Sequence, residues 1–167
     1  MEFKKITPDK ILENSFDLIG KTWMLVTTQK PDGSYNTMTA SWGGTGVLWG
    51  KNVVFVFIRP QRYTYELMEN CQNFSLSFLE ESFREKLGFC GKVSGRDKDK
   101  IKECGFNLHI ENETAFIEEG FLSLTCKKLY FGDIQQSGFI DEELLKNYTQ
   151  KDYHRMYVAE ITGVYKK

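Results

Sequence analysis

The sequence predicts a mainly β fold, an antiparallel barrel with short helices at its periphery. Many short segments are rich in β-branched and aromatic residues, and turn formers or short helical stretches lie between them. A doubly wound parallel sheet would instead need a helix after nearly every strand. The 167 residues fit one domain, spanning 1–167, which is long enough to bury a sizeable core.

The N-terminal part of the chain predicts a short helix followed by a β-hairpin. Asn14 is a preferred helix N-cap residue, and Gly20 ends the stretch that follows it. Pro31–Ser34 is a strong reversal between two strand-like segments, and Gly43–Gly46 then breaks the strand pattern. The predicted elements are a helix at 15–19 and strands at 23–29, 35–38 and 53–58, the last a continuous apolar run buried on both faces.

The C-terminal part mixes short helices with strands. Pro60 closes the preceding strand and good helix formers follow it, whereas residues 73–79 alternate polar and apolar side chains, as a half-buried strand does. Asp97 and Asp141 are N-cap residue types, and Gly88 and Gly105 are helix stops. The predicted elements are helices at 62–71, 82–87, 98–104 and 141–148, and strands at 73–79, 114–117, 121–131 and 157–165.

Composition argues against several classes of partner. A net charge of -1 with 27% charged residues gives no overall positive field for a nucleic-acid backbone or an anionic membrane. The longest apolar run, Val53–Ile58, is far shorter than a bilayer span. The four cysteines, at positions 71, 90, 104 and 126, include no Cys-x-x-Cys pair. We therefore expect buried reduced thiols and a cytoplasmic location.

Two short blocks flank the apolar run and outline a site for a flat, anionic ligand. Thr37–Gly44 combines three hydroxyls, small residues and Trp42, so the backbone there can approach a ligand closely while hydroxyls donate hydrogen bonds. Arg59–Glu66 supplies two fixed positive charges where a strand turns into a helix, whose N-terminus also favours an anion. A planar ring with a phosphate group, as in flavin mononucleotide (FMN), has both of the required parts.

Each of these signals also has a structural explanation. Arg59 and Arg62 could be solvated charges at a strand end, and a cluster of Ser, Thr and Gly residues can be a plain turn. The loop 91–97 carries Lys92 and Ser94 between glycines, and it could close over the ligand or simply be solvated. Hydrolytic and metal-dependent catalysis lack their usual motifs: the sequence has no nucleophile elbow, no His-Glu-x-x-His and no Walker phosphate loop. The glycine spacing of a dinucleotide-binding fold is missing too, so NAD(P)H would be a transient visitor.

The ordered blocks resemble the flavin reductase-like, FMN-binding split-barrel family, particularly its flavoredoxin branch. The resemblance covers about residues 5–165 and rests on five landmarks in the right order. They are Asn36–Gly43, Arg59–Glu66, Phe74–Phe78, Ser94–Lys98 and Tyr153–Tyr157. The resemblance implies an antiparallel Greek-key split β-barrel that forms a homodimer, with FMN near the subunit interface.

The resemblance also implies which residues contact the cofactor. The segment Thr37–Trp42 would run along the isoalloxazine edge, with backbone N–H groups and the Thr39 and Ser41 hydroxyls as donors. The residues assigned to FMN are Thr37, Met38, Thr39, Ala40, Ser41 and Trp42 at the ring, Arg59, Arg62, Tyr63 and Thr64 at the phosphate, Lys92, Ser94 and Asp97 in a closing loop, and Ser77 and Tyr157. His154 is a candidate catalytic residue near the flavin or the dimer contact, and no metal site is expected.

Two departures from the family pattern bear on the electron donor. Many NAD(P)H-dependent flavin reductases carry Asn at the position of Ser77 and a Gly-Asp-His triplet near the C-terminus, where this chain has Asp152–His154. Three functions therefore stay open. The first is an FMN-dependent oxidoreductase that takes electrons from NAD(P)H or a protein partner. The others are a flavoredoxin-like flavin carrier or electron-transfer protein, and a small-molecule-binding barrel without redox activity.

Overall fold

Antiparallel strands dominate the protein, whose computed structural model describes residues 2–167. The ten strands are β1 (Lys4–Ile6), β2 (Met24–Gln29), β3 (Tyr35–Ala40), β4 (Gly43–Leu48), β5 (Lys51–Ile58), β6 (Asn73–Phe78), β7 (Leu108–Glu111), β8 (Thr114–Ile117), β9 (Leu122–Asp133) and β10 (Arg155–Lys166). Eight of them form one sheet in the order β3-β2-β6-β9-β10-β5-β4, with β1 paired to β10, and β7 and β8 form a separate hairpin. The pairing of β1 with β10 joins the two ends of the chain.

The helices are short and lie between strands, as predicted. They are α1 (Ser15–Asp17), which continues as a π-helical turn (Leu18–Thr22), α2 (Tyr63–Asn70), α3 (Arg84–Lys92) and α4 (Lys100–Glu103), with single 3-10 segments at Pro8–Lys10, Glu81–Phe83, Gln136–Gly138 and Glu142–Tyr148. Two predicted N-caps are confirmed: the Asn14 side chain accepts from Phe16 N at 2.9 Å and the Asp141 side chain accepts from Glu143 N at 3.0 Å.

Two helix boundaries differ from the prediction. α3 runs through Gly88 to Lys92 instead of ending at the glycine, since Gly weakens a helix without necessarily ending it. α4 begins at Lys100 and is capped by Asp99, whose side chain accepts from the N–H of Lys102 at 3.1 Å. The predicted cap, Asp97, instead belongs to the loop between α3 and α4.

The glycine tract is a strand, which corrects the predicted break. β4 pairs with β5 through a tight turn in which Trp49 and Gly50 have positive φ angles of 53° and 68°. Gly43 lies so close to β5 that a Cβ there would be 2.5 Å from the Phe55 carbonyl oxygen. Glycine is needed at this position because the two backbones approach too closely for any side chain.

β6 is buried on both faces, although its alternating pattern predicts one solvated face. The β8 strand covers the polar face, where the Ser75 hydroxyl donates to the Ala115 carbonyl at 2.6 Å. The core forms two clusters. The larger joins β2, β3, β5, β6, β9 and β10, and the smaller lies beneath α3 and α4. The smaller cluster supports one wall of the candidate site.

Candidate functional site

The structure brings the two predicted blocks together around a pair of adjoining cavities. The first, of about 240 Å³, is lined by Met38–Trp42, Phe57, Arg59, Arg62 and His154. The second, of about 130 Å³, is lined by Gln61–Thr64, Lys92–Gly95 and Lys100. We call them the ring pocket and the phosphate pocket, after the parts of the predicted ligand. Arg62 lines both, so a single ligand can reach from one into the other.

One wall of the ring pocket is formed by β3 and the residues after it. β3 lies at one end of the strand order, so one side of its backbone faces no other strand within the described chain. α3 packs against part of this edge, and the backbone groups of Met38–Ala40 that line the pocket can meet the polar edge of a flat ring. The Thr39 hydroxyl donates to the Leu87 carbonyl at 2.6 Å, so its proton is used within the protein. Thr39 and Ser41 both line the pocket, and their contacts with a ligand stay predictions.

Trp42 and His154 form the aromatic side of the ring pocket. Their ring centroids lie 5.0 Å apart with the planes tilted by 46°, and His154 is buried. The Tyr148 hydroxyl lies 2.9 Å from His154 Nδ1. Burial, together with the nearby Arg59 charge, lowers the pKa of His154 to about 4. His154 is therefore neutral at pH 7, and its Nε2 can donate or accept a hydrogen bond according to the tautomer. It cannot act as a cation toward a phosphate.

Arg59 is held by other residues of the protein. Its guanidinium pairs with Asp152 and donates to the Asn147 carbonyl at 2.9 Å, and Gln61 Nε2 donates to the same Asp152 carboxylate at 2.7 Å. These contacts attach the segment before β10 to the end of β5. Arg59 lines the ring pocket but not the phosphate pocket. Arg59 therefore faces the first cavity with its charge already paired, and its contact with the phosphate stays a prediction.

Three cations, Arg62, Lys92 and Lys100, line the phosphate pocket and have no carboxylate partner among residues 2–167. Lys100 is only 3% exposed, and its Nζ donates to the Cys90 carbonyl at 3.1 Å. Burial lowers the pKa of Lys100 to about 8 and also lowers the pKa of the half-buried Arg62. Buried charges in proteins are normally paired or coordinated. Three uncompensated cations facing one cavity, of which Arg62 is half-buried and Lys100 buried, therefore indicate an anionic ligand.

The sequence prediction missed Lys100. Lys98, Lys100 and Lys102 lie close together in the sequence, and residue type does not distinguish them. The fold does, because Lys98 and Lys102 are exposed and Lys100 is buried. Which of these lysines faces inward depends on where α4 begins, and the prediction placed the N-cap two residues too early.

The first turn of α2 supplies further donors to the phosphate pocket. The backbone N–H groups of Tyr63 and Thr64 lie at the helix N-terminus, where the helix itself offers no acceptor. The Thr64 hydroxyl accepts from Asn36 Nδ2 at 2.9 Å, which fixes it against β3. Gly95 packs onto Asn36 so closely that a Cβ would lie 1.9 Å from Asn36 Oδ1. The close approach of these segments gives the pocket its shape.

The loop after α3 closes the phosphate pocket with two of its three predicted residues. Lys92 and Ser94 line the cavity. Asp97 is exposed, outside the lining, and its N–H donates to the Ser94 carbonyl at 3.2 Å, so it shapes the loop. Arg96 pairs with Glu66 of α2 and holds the loop against that helix.

Three other predicted contacts lie outside both pockets. Thr37 is fully buried, and its hydroxyl donates to a main-chain carbonyl of β2 at 3.3 Å. The Ser77 hydroxyl accepts from a backbone N–H of β8 at 3.1 Å and from a hydroxyl of β9 at 3.0 Å. Tyr157 is buried in the core, and its hydroxyl donates to Glu69 Oε1 at 2.6 Å. All three side chains satisfy polar groups within the fold, and their contacts with the cofactor stay predictions.

A larger cleft, of about 640 Å³, lies between the end of α2 and the β7–β8 hairpin and includes Gln29, Asn70 and Glu113 in its lining. That lining shares none of the predicted site residues. Within residues 2–167, no helix is both long and apolar enough to cross a membrane. The same part of the chain has no group of three or more His, Cys, Asp or Glu side chains placed to hold a metal ion. The uncompensated charge of the two smaller pockets makes them the stronger candidate site.

Comparison with known families identifies the domain. A family model described as a flavin reductase-like domain matches residues 16–166, a range that contains both pockets and nine of the ten strands. The chain belongs to the flavin reductase-like family. A search of curated proteins found no significant match.

Solved structures share the fold at low sequence identity. The flavoredoxin from Methanosarcina acetivorans is 21% identical with a TM-score of 0.68, over 100% of this chain and 76% of that one. An FMN-binding domain of a flavin reductases-like enzyme from Shewanella baltica is 18% identical with a TM-score of 0.70, over 99% and 78%. The styrene monooxygenase flavin reductase from Pseudomonas putida is 15% identical with a TM-score of 0.64, over 86% and 77%. These likenesses confirm the predicted mainly β split-barrel fold with short helices.

Proposed function

We propose that this flavin reductase-like protein binds FMN and uses it to pass electrons from a reduced donor to an acceptor. The observation that carries the proposal is that Arg62 and Lys100, which have no carboxylate partner in the described part of the chain, face a cavity that adjoins a pocket bounded by Trp42 and His154. The ribityl phosphate would lie in the phosphate pocket and the isoalloxazine in the ring pocket. Membership of the family supports the same cofactor.

The protein would bind and orient the cofactor while the flavin, when bound, supplies hydride or electron transfer. Arg62, Lys100 and the first amides of α2 would hold the phosphate. The open edge of β3 and the Ser41 hydroxyl would hold the polar rim of the ring. Trp42 and Phe57 would exclude water from the ring. Hydride transfer depends mainly on proximity and orientation, so the proposal needs no acid or base among these residues.

One observation favours a flavoredoxin-like carrier as the second candidate. Asp152 and His154, which lie in the C-terminal triplet, make contacts inside the protein with Arg59 and Tyr148. The Asp152 carboxylate and His154 Nδ1 are thus engaged before any nicotinamide nucleotide arrives. A protein donor that docks over the exposed edge of Trp42 would not need them.

Flavin titrations test the cofactor. FMN should bind about ten- to a hundredfold more tightly than riboflavin, because hydrogen bonds to a charged group contribute about 1.5–3 kcal/mol and riboflavin lacks the phosphate. Quenching of flavin fluorescence measures both affinities on the same preparation. Equal affinities would show that the two cations do not bind the phosphate, and a chain that binds neither flavin would favour a barrel without redox activity.

Anaerobic reduction separates the first two functions. If the protein is a reductase, NADH or NADPH should bleach the flavin absorbance of the FMN-loaded protein. If it is a carrier, neither nucleotide should bleach it, whereas a chemical reductant such as dithionite should. Bleaching by a nucleotide would therefore reject the carrier.

Arg62→Ala tests the residue that both pockets share. Loss of its guanidinium should weaken FMN binding by about 1.5–3 kcal/mol. Lys98→Ala removes an exposed cation from the neighbouring loop and should leave the affinity unchanged. Unchanged FMN affinity in the Arg62 variant would reject its role in binding.

We also propose a homodimer with the ring pocket near the interface. Trp42, Val47 and Trp49 are 46%, 72% and 60% exposed; the two tryptophans flank β4 and Val47 lies in it, and this edge strand contains no charged residue. Edge strands that stay unpaired usually carry charges that prevent association. Light scattering after size exclusion should give a dimer mass for the wild type and a lower mass for Val47→Lys, and a monomeric wild type would contradict the proposal.

A further inference from the structure

Two cysteine thiols are in contact beside the phosphate pocket. Cys90 lies in the last turn of α3 and Cys104 follows α4 directly, with their Sγ atoms 3.7 Å apart. Cys90 is fully buried and Cys104 is 6% exposed, and both belong to the smaller core cluster. The intervening segment, 91–103, carries five of the residues that line the phosphate pocket: Lys92, Val93, Ser94, Gly95 and Lys100.

We propose that Cys90 and Cys104 form a reversible disulfide that lowers the affinity of the phosphate pocket for its anion. The identity of that anion as the FMN phosphate rests on the proposed function. The chemistry of the two thiols does not, because it depends only on the contact between α3 and the end of α4.

Geometry links the thiols to the pocket. A disulfide has an S–S length of about 2.05 Å, so the two sulfurs must approach by about 1.7 Å. Side-chain rotation and backbone movement at both cysteines share this approach, and the Cys90 carbonyl accepts from Lys100 Nζ at 3.1 Å, so the backbone movement at Cys90 also moves the acceptor that positions the ammonium. Hydrogen bonds weaken steeply beyond about 3.2 Å, and a tightly packed core transmits displacements to its neighbours. Oxidation should therefore move Lys100 away from its position in the pocket.

The thiols are protected while the segment is closed. Burial raises the pKa of Cys90 to about 12, and burial also raises the pKa of Cys104. Thiolates are the reactive species, so oxidation requires opening of the 91–103 segment. An anion bound between this segment and α2 would hold it closed. Ligand binding and disulfide formation thus oppose each other, and linkage requires the opposition to be reciprocal.

The oxidant that we propose is a low-molecular-weight disulfide such as oxidised glutathione. In the open segment, the Cys104 thiol loses its proton and its sulfur attacks one sulfur of the oxidant, which releases one glutathione thiolate and leaves a mixed disulfide. The Cys90 thiol then loses its proton and attacks Cys104 Sγ, which forms the Cys90–Cys104 bond and releases the second glutathione thiolate. The two protons pass to the released thiolates, so two cysteine thiols and one disulfide yield one protein disulfide and two thiols.

The disulfide itself is tested on the flavin-free, full-length chain. After incubation with oxidised glutathione, remaining thiols are alkylated under denaturing conditions and counted by intact mass. The reduced chain has four free thiols, and we expect two to remain after oxidation, with one cross-linked peptide that joins positions 90 and 104. Cys71→Ser, which removes the half-exposed thiol, should go from three free thiols to one and give the same cross-linked peptide. Four remaining thiols at every oxidant concentration, or a cross-link to another cysteine, would overturn the proposal.

The coupling is tested with FMN as the probe. Kd for FMN should be at least about tenfold higher for the oxidised chain than for the reduced chain, in line with loss of one charge-assisted contact, and dithiothreitol should restore it. Saturating FMN should slow the oxidation. Cys90→Ala and Cys104→Ala should each abolish the oxidant effect on Kd, and near-identical circular dichroism would show that they fold. Equal affinities of the oxidised and reduced chains would overturn the coupling.

The two tests fail in different ways. If the reduced chain binds no FMN, the proposed function fails while the thiol count still decides whether the disulfide forms. If the reduced chain binds FMN but no disulfide forms, the inference fails and the proposed function stands.

Discussion

Replacing Lys100 by Met separates the cost of burying a cation from its benefit to a ligand. Burial lowers the pKa of Lys100 from 10.5 to about 8, so keeping the ammonium charged at pH 7 costs the folded, ligand-free chain about 3 kcal/mol. Methionine has a similar length and no charge. Allowing about 1 kcal/mol for the lost hydrogen bond to the Cys90 carbonyl, we expect Lys100→Met to raise the free energy of unfolding by about 2 kcal/mol.

The same substitution should weaken the binding of the proposed ligand, FMN. A charge-assisted contact to a phosphate contributes about 1.5–3 kcal/mol, so Kd for FMN should rise about ten- to a hundredfold. Stability and affinity therefore change in opposite directions. Urea unfolding of the flavin-free chain measures the first, and fluorescence titration measures the second. Lys102→Met, an exposed position on the same short helix, is the matched control and should change neither.

The pH dependence gives an independent check. Between pH 8 and 10.5 the folded chain releases the Lys100 proton before the unfolded chain does, so the unfolded state binds more protons and stability rises with pH. Lys100→Met should lack this rise. If the flavin-free Lys100→Met variant is less stable than the flavin-free wild type, the claim that Lys100 is an unpaired, buried cation is refuted. Unchanged FMN affinity would refute the phosphate contact.

Three further predictions concern other parts of the site. Ser77→Ala should lower the free energy of unfolding, measured in urea, by about 1–3 kcal/mol, because a buried N–H of β8 loses its acceptor. The same variant should leave FMN affinity unchanged, and a weaker affinity would place Ser77 among the cofactor contacts. Gly95→Ala should weaken FMN binding at least about tenfold in titrations, since the new Cβ would lie 1.9 Å from Asn36 Oδ1. Gly88→Ala is the control, because its Cβ would meet open space, and it should raise the free energy of unfolding by up to about 1 kcal/mol. Equal FMN affinities of the two variants would contradict this account. The pKa of His154 falls from 6.5 to about 4 on folding, so between these pH values the unfolded chain binds more protons than the folded chain. The free energy of unfolding therefore falls as the pH is lowered, by at most about 1.4 kcal/mol per pH unit. His154→Asn should lack this component in unfolding measured from pH 6.5 to 4, and identical slopes for variant and wild type would refute a neutral His154.

Local patterns in the sequence predicted most of the fold. The Asn14 and Asp141 caps and the reversal at Pro31–Ser34 depend on residues close in the chain, so the sequence contains the relevant information. The tract Gly43–Gly46 was mispredicted because glycine has little strand preference of its own. Its pairing with β5 overrides that preference, and such pairing is a property of the folded sheet.

The site was predictable where charge and chain position coincide. Arg62 and Thr64 lie at a helix N-terminus that the sequence shows directly. The role of Arg59 depends on Asp152, which is 93 residues away in the chain, and that of Lys100 depends on which face of a four-residue helix is buried. The buried Ser77 and Tyr157 resemble site residues in the sequence because a hydroxyl that satisfies the fold and one that meets a ligand are the same residue types.

The order in which the chain is made affects the two pockets differently. All residues that line the phosphate pocket lie between positions 61 and 100. The ring pocket also needs His154, which precedes β10, and the pairing of Arg155 with Ile58 sets the position of that strand. A chain emerging from the ribosome therefore carries its anion-binding residues before it can complete the other pocket. A ligand that fills both pockets can be bound at both of its ends only after β10 has joined the sheet.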